Sequence, residues 1–362
     1  MAGDSNPPYV DTVIQEFQQV QLEWLSRSRF PMPSRVSPIV ISVVKNEVDR
    51  LEDFLRHYRN LGIERFVFVD NGSTDGTQEL LAAQPDVDLC LRRGKFDWML
   101  KQGWINRVVE TYGYDRWFIY VDADEQIVFD GCDRYSFADL AVRMEEAGLT
   151  RVRGFLIDMY DAGPLMESSY RAGAPLINSF SWFDRDTYKE ARYKEIMSVK
   201  GGPRQRVFGR DENGKFRPEM TKYPLFKIKP GEYMANPHHI WPYDGNFASP
   251  RFLGVLHFKF LPGLLERIRV AIEQKNYWDG SFEYQCYLKA LQVEPDLSLH
   301  FEGSERFSSV DQLVSLDLIA SIGWTGAASA SHLARAAFRQ RRQESLARHW
   351  SWQPAALAAA TA

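Results

Sequence analysis

Short unbroken apolar runs alternate along the chain with stretches in which apolar residues recur every three or four positions. The runs Ile39–Val44, 66–69 and 117–129 have strand-like composition and little polar alternation, the mark of strands buried on both faces. Between the first two, Leu51, Phe54, Leu55, Tyr58 and Leu61 stand at helical spacing and Gly62 stops the helix. Strand, helix, strand in that order predicts a parallel βαβ unit. The same reading gives helices over 77–83 and 97–112, with a short edge element over 90–93 between them. After residue 130 it predicts a helix over 134–148, with Phe137, Leu140, Ala141 and Met144 inward, and a strand over 153–160. Further apolar runs, KYPLFKI and VLHFKF, precede a helix over 261–277 and, past a turn at Asp279, Gly280 and Ser281, another helix carrying Glu283. At the N-terminus, residues 1–10 read as disordered, and 12–28 as a helix packing through Ile14, Phe17, Leu22, Trp24 and Leu25. PMPSRVSP (31–38) is a connector. Helices over 313–319 and 332–346 close the chain, so the expected division is 1–37, 38–300 with a seam near 130, and 301–362.

Composition narrows the class without naming a chemistry. With 362 residues, 44% hydrophobic, 25% charged and a formal charge of −4, the chain can bury a large core, and nothing in its balance asks for nucleic acid. Its aromatic share of 14% suits a sugar or nucleotide site and suits core packing equally. Cys90, Cys132 and Cys286 lack metal-site spacing and read as reduced thiols, which favours a cytoplasmic location. The sequence shows neither a run of membrane-spanning length nor a signal-type start. Arg335, Arg339, Arg341, Arg342 and Arg348 make a basic tail that could meet the inner face of a membrane as a peripheral contact, although an outer packed helix explains it as well.

The candidate chemistry gathers where strands end. In WFIYVDADEQIVF, Asp122, Asp124 and Glu125 follow an apolar run, and in an extended chain Asp122 and Asp124 leave on one side. A hard cation, Mn²⁺ or Mg²⁺, would reconcile their like charges and bridge them to phosphate, whereas a solvated acidic turn is the plainer reading. The 66–69 run enters DNGSTDGT, where Asp70 can accept hydrogen bonds from a base or ribose and Thr74 or Asp75 can cap the next helix. This glycine pattern is neither a dinucleotide fingerprint nor a P-loop. Arg92, Arg93 and Lys95, and later Arg204 and Arg206 in GGPRQRVFGR, are cations that phosphate or an anionic acceptor would need, or else solvated basic loops. Among the histidines, His257 in VLHFKF is the first candidate to complete a metal shell and His239 the second, with His238 beside it; Lys259 could meet a diphosphate.

The ordered pair ISVVKNEVDRLEDFLRHYRNLGIERFVFVDNGSTDGT and WFIYVDADEQIVF resembles the nucleotide-binding half of the family 2-like glycosyltransferases of GT-A fold, in a bacterial branch with KNE and VDADE motifs. The likeness runs over about residues 38–260. It implies an α/β fold with a mixed, largely parallel central sheet flanked by helices, 38–130 binding the nucleotide and 131–300 the acceptor. It further implies a donor site of Lys45, Asn46, Glu47, Asp70, Asn71, Gly72, Asp75, Arg93, Asp122, Ala123 and Lys259. The implied metal set is Asp122, Asp124 and Glu125 with His257 or His239, holding Mn²⁺ or Mg²⁺ on the diphosphate. An inverting transfer needs a carboxylate base, for which Asp158, Asp161 and Glu283 are the candidates. The expected reaction moves a sugar from a nucleotide-sugar donor, a UDP-sugar foremost, to a glycan, lipid-linked or surface-polymer acceptor. A nucleotidyltransferase acting on sugar phosphates and a non-catalytic carbohydrate-binding protein retaining the fold are the alternatives.

Overall fold

The structure is a computed structural model that describes residues 6–168, 170–193, 196–209, 214–247 and 249–324. The chain divides into the units Met1–Ile322 and Gly323–Ala362, and every element named below belongs to the first. The expected helix over 332–346 and its arginines lie outside the described residues. The first half runs α1 (Pro8–Gln19), β1 (Glu23–Ser26), β2 (Ile39–Val44), α2 (Val48–Asn60), β3 (Phe66–Asp70), α3 (Thr77–Ala82), β4 (Val87–Leu91), α4 (Leu100–Tyr112) and β5 (Phe118–Tyr120). It continues with β6 (Glu125–Phe129), α5 (Phe137–Glu146), β7 (Arg151–Asp158), α6 (Leu176–Ser179), β8 (Trp182–Asp184), β9 (Tyr188–Tyr193), β10 (Ile196–Gly201) and α7 (Gly202–Phe208). Then come β11 (Thr221–Phe226), β12 (Tyr233–Met234), β13 (Ile240–Trp241), β14 (Arg251–His257), α8 (Leu264–Gln274), α9 (Trp278–Val293), β15 (Ser304–Arg306) and α10 (Val310–Ser315).

Nine strands form one sheet in the order β1-β4-β3-β2-β5-β11-β7-β14-β6. β2, β3, β4, β5, β7 and β14 run one way, while β1, β11 and β6 run against them. The continuous apolar strands β2 and β3 sit inside the parallel block, where both faces are covered and every position of β3 is buried. Helix α4 packs Trp104, Ile105, Val108 and Val109 into the same core as Ile41, Val67, Phe118 and Tyr120. A second core gathers Phe208, Ile268, Tyr284, Tyr287 and Leu299 from α7, α8, α9 and the segment after them. The outer strand β6 is not left bare: Tyr58 Oη donates to the Glu125 carbonyl at 3.0 Å and accepts from the Ile127 N–H at 3.2 Å, and His57 Nε2 lies 2.8 Å from the Ile127 carbonyl. Helix α2 thereby blunts a sheet edge that would otherwise invite pairing.

Several expectations are corrected. Residues 8–10, expected to be disordered, open α1, and the expected edge element at 90–93 falls on β4, which is paired on both sides. Residues 12–28 do not form one helix; α1 stops at Gln19, and Glu23–Ser26 join the sheet against β4, so Trp24 serves a strand and stacks under the Arg27 guanidinium at 3.4 Å. Helical spacing and strand alternation overlap over so few residues, and pairing with β4 decides between them. The 117–129 run is likewise two strands, because the chain turns at 121–124, where the Glu125 N–H donates to the Asp122 carbonyl at 3.1 Å. Asp122 and Asp124 are therefore presented by a turn, not by an extended strand.

Candidate active site

Sheet direction gathers the site. Asp70, Asp158 and His257 are the last residues of β3, β7 and β14, which run in the same direction, and β6 places Glu125 opposite His257 in register. Ligands in open α/β sheets collect beyond this edge.

At β3, Asp70 is fully buried. Its Oδ1 accepts the Gly72 and Ser73 N–H groups, both at 2.9 Å, and the Gln78 amide at 2.7 Å, whereas its Oδ2 is buried with no protein partner. Gly72 adopts φ +79°, the left-handed conformation that lets its N–H turn back onto the carboxylate. Asn71 donates to the Arg92 and Gly94 carbonyls at 2.8 and 3.1 Å and leaves its own Oδ1 buried without a partner. The loop after β2 is laced to this one. The Asn46 N–H donates to Ser73 Oγ at 2.9 Å, Asn46 Oδ1 accepts the Thr74 N–H at 2.8 Å, and the Glu47 N–H donates to Thr77 Oγ1 at 2.9 Å. Asp75 accepts the Thr77 and Val48 N–H groups at 3.0 and 3.2 Å, joining the starts of α3 and α2. Lys45 is exposed, and Arg93 is solvated with Glu23 at 3.9 Å. Arg92 leans instead on Glu16 at 3.3 Å and on the Trp104 ring.

The acidic turn has its own cations. Lys101, buried on α4, donates to Asp122 Oδ1 at 3.0 Å, and Lys222 on β11 pairs with Glu125. Burial opposes ionisation of Asp122, yet Lys101 and Lys222 hold its carboxyl below the usual range; burial pushes the Glu125 carboxyl up against Lys222. The Asp122 N–H donates to Glu125 Oε2 at 2.9 Å and ties the turn to itself, with Ala123 buried between. Asp124 has no lysine or arginine within ion-pair distance among the described residues, and its Oδ2 lies 3.8 Å from His257 Nε2. Lys101 and Lys222 are what the sequence reading missed. Their signal was a lysine set among the apolar residues of α4 and another heading an apolar strand.

Behind His257 runs a buried series of charges. His257 Nδ1 is 2.6 Å from Asp158 Oδ1; Arg204 Nε donates to Asp158 Oδ2 at 2.8 Å and Arg204 Nη1 to Glu283 Oε1 at 3.0 Å; and Tyr287 donates to Glu283. Burial opposes it, but Arg204 and His257 hold the Asp158 carboxyl down at about 2, and Lys259 and Arg204 do the same for Glu283. Both oxygens of Asp158 are thus occupied and Glu283 is locked to α7. Arg206 makes a two-pronged pair with Asp184, both bonds 2.9 Å, and donates to the Leu299 carbonyl at 2.6 Å. Asp161 is half-buried and accepts the N–H of Ala162 at 2.7 Å. Lys259 reaches Tyr284 Oη at 3.3 Å. His239 packs between Tyr223 and Tyr243, and burial lowers its pKa to about 4 against the pull of Glu219; His238 Nδ1 lies 2.8 Å from the Thr221 carbonyl. Glu47, half-buried beside Arg50 at 2.9 Å, has its pKa raised to about 7 by burial, with Asp124 and Asp49 adding to it.

Residues 39–133 match the family model described as glycosyl transferase family 2. Over that stretch the chain resembles the family 2 glycosyltransferases. The matched segment is β2 through the end of β6, the part that supplies Asn46, Asp70 and the acidic turn. The mixed α/β sheet flanked by helices is the GT-A arrangement, and the match supports glycosyl transfer. Among solved structures, the crystal structure of S. aureus TarS 1-349 is similar at 12% identity, over 71% of this chain and 72% of that one, with a TM-score of 0.28; a likeness that loose adds nothing to the assignment. No curated protein matches.

A divalent cation, which family 2 resemblance implies, can be tested against these side chains. Among the described residues no three His, Cys, Asp or Glu side chains form a ready cage. Asp124 and His257 nevertheless fit as a pair: a carboxylate oxygen and an imidazole nitrogen face each other, and the imidazole is backed by a carboxylate as metal-bound histidines usually are. Asp122 and Glu125 are already engaged by lysines.

Proposed function

We propose that the protein transfers a sugar from a nucleoside diphosphate donor to an acceptor hydroxyl, with Mn²⁺ or Mg²⁺ held by Asp124 and His257. The observation that carries this reading is the presence, at the ends of the strands, of a buried unpartnered carboxylate oxygen at Asp70 inside the family-matched stretch, and of Asp124 from that stretch facing His257 from outside it. An orphaned buried acceptor is costly unless a ligand donates to it, and a nucleobase N–H or a ribose hydroxyl is a donor of the right size. The cation, when bound, supplies Lewis-acid stabilisation of the charge that develops on the leaving diphosphate. Lys259, two residues past the end of β14 and 3.3 Å from Tyr284 Oη, is the cation this reading assigns to the diphosphate. The acceptor hydroxyl attacks the anomeric carbon as the bond to the diphosphate oxygen breaks, the nucleoside diphosphate leaves, and a carboxylate takes the hydroxyl proton. One displacement inverts the anomeric centre. Asp158 and Glu283 are held at about 2 and engaged by Arg204, which suits neither to accept a proton at neutral pH. Glu47, whose carboxyl burial pushes up to about 7 against the pull of Arg50 at 2.9 Å, is the carboxylate this reading assigns to that step.

Thermal stabilisation by UDP-, GDP-, CMP- and dTDP-sugars, with and without Mn²⁺, tests the donor site. One nucleotide class should raise the melting temperature in a Mn²⁺-dependent way, and Asp70→Asn should remove the effect. A ligand at a hundred times its Kd contributes about 2.7 kcal/mol, enough to read clearly. No response from any nucleotide in folded protein would leave the non-catalytic carbohydrate-binding alternative, and pyrophosphate release from a sugar phosphate and a nucleoside triphosphate would favour the nucleotidyltransferase.

A further inference from the structure

The buried series behind His257, none of which the proposed reaction uses, is centred on Arg204. The Arg204 side chain is only 6% exposed, and its three nitrogens are each engaged inside the protein, with Asp158, with Glu283 and, through Nη2 at 3.4 Å, with Met220 Sδ. The backbone is shaped to deliver it. Gly201 has φ +121°, and a Cβ there would lie 2.2 Å from the Thr187 carbonyl oxygen; Gly202 has φ +78°, and a Cβ there would press on the Tyr188 ring at 3.0 Å. Pro203 then sits in the first turn of α7, and Arg204 follows it. The GGPR motif is thus a turn that excludes side chains at two positions so that a guanidinium can reach the end of β7.

What it meets there is shared. Asp158 is fully buried, gives one oxygen to Arg204 and turns the other to His257 Nδ1. An ionised carboxylate can only accept, so Nδ1 carries a proton, and in the neutral ring Nε2 is then the free nitrogen turned toward Asp124. Without the guanidinium, the imidazole would be the sole partner of a carboxylate that has no access to water, a costly arrangement that the site would relieve by changing the bond between them.

We propose that Arg204 is a positioning residue which, through Asp158, fixes the tautomer and ring orientation of His257 so that Nε2 faces the divalent cation beside Asp124; this rests on His257 being a ligand of that cation. The test uses the full chain with ¹⁵N-labelled histidine. Long-range ¹H–¹⁵N correlations, taken without metal and with the His257 signals identified by their loss in His257→Gln, should show a single Nδ1–H tautomer. Arg204→Met should lose that single tautomer, and should weaken Mn²⁺ binding in the presence of UDP, read as the free Mn²⁺ signal in electron paramagnetic resonance, by about ten- to a hundred-fold. Arg204→Lys, which keeps the buried charge, should keep the tautomer and recover most of the affinity. A folded Arg204→Met protein with the His257 tautomer and the Mn²⁺ affinity both unchanged would overturn the proposal, as would a folded Arg204→Lys with no recovery. Should Arg204→Met not fold, Asp158→Asn carries the same question, because an amide no longer dictates Nδ1–H, and an unchanged tautomer there contradicts the proposal. Unchanged Mn²⁺ affinity in His257→Gln would sink the ligand reading itself, and the metal-free spectra keep that failure distinct from a failure of Arg204 to set the tautomer.

Discussion

Asp70 holds three donors on one oxygen and none on the other, so its two oxygens do different work. Asp70→Asn replaces charge-assisted bonds by weaker ones and should cost about 1.5–3 kcal/mol in urea unfolding while also reducing nucleotide affinity. A loss of affinity with unchanged stability would mean that the oxygen bound to the loop is not the one that organises it. The two buried lysines make a sharper case. Lys222→Met leaves Glu125 buried without its cation and should destabilise the protein by about 3–5 kcal/mol, whereas a Lys222→Met, Glu125→Gln double variant should recover much of that loss. Single and double variants of equal stability would show that the pair contributes nothing. These residues also mark what could be read in advance. Asp70 stood out because a strand ended on it. Lys101 and Lys222 did not, since their apolar neighbours hinted at burial but the carboxylates that make it tolerable, Asp122 and Glu125, are brought to them only by the fold.

Among the elements, β2, α2 and β3 were legible to within a few residues because both faces of the strands are covered and the helix has one clean apolar stripe. The DAD stretch was not, because a continuous apolar run does not reveal where the chain leaves β5 for the opposite edge of the sheet. In GGPRQR the sequence left open whether the arginines meet an anion or form a solvated loop; they are turned inward by α7, a helix too short to show a period. Gly201→Ala should therefore be among the costlier single-methyl substitutions, by about 1–3 kcal/mol or more, measured by denaturant unfolding, since the added Cβ meets backbone at 2.2 Å and the residue must keep φ +121°. An alanine tolerated without loss would mean that the β10–α7 turn can relax. The Asp158, Arg204 and Glu283 link joins β7, α7 and α9, and it has a pH signature. Both carboxyls are lowered in the folded state to about 2, so the unfolded chain binds more protons below its ordinary carboxylate range. Their contribution is present above about pH 4.5 and lost as pH falls toward 2. Glu283→Gln should flatten the stability-against-pH curve in that window and leave its slope near neutrality alone. An unaltered acid limb would remove the link from the account.

At the scale of the whole molecule, the described residues contain no helix long and apolar enough to cross a membrane. The site is assembled by sheet direction: β7 and β14, far apart in sequence, end side by side, β3 ends on the same side of the sheet five places along from β14, and the acidic turn and His257 face each other because β6 returns antiparallel to β14. Glu47→Gln tests the division of labour across this edge. It should leave nucleotide binding within about threefold while lowering kcat by about a hundred-fold or more, the usual share of a general base. Equal losses in both would place Glu47 with the donor. The most direct measurement is nucleoside diphosphate release from the responsive donor sugar by wild type and Asp124→Ala, each with and without Mn²⁺. Metal-dependent release by the wild type is expected, with loss of at least about a hundred-fold in the variant with its fold intact. Release that ignores both the metal and the substitution would contradict it.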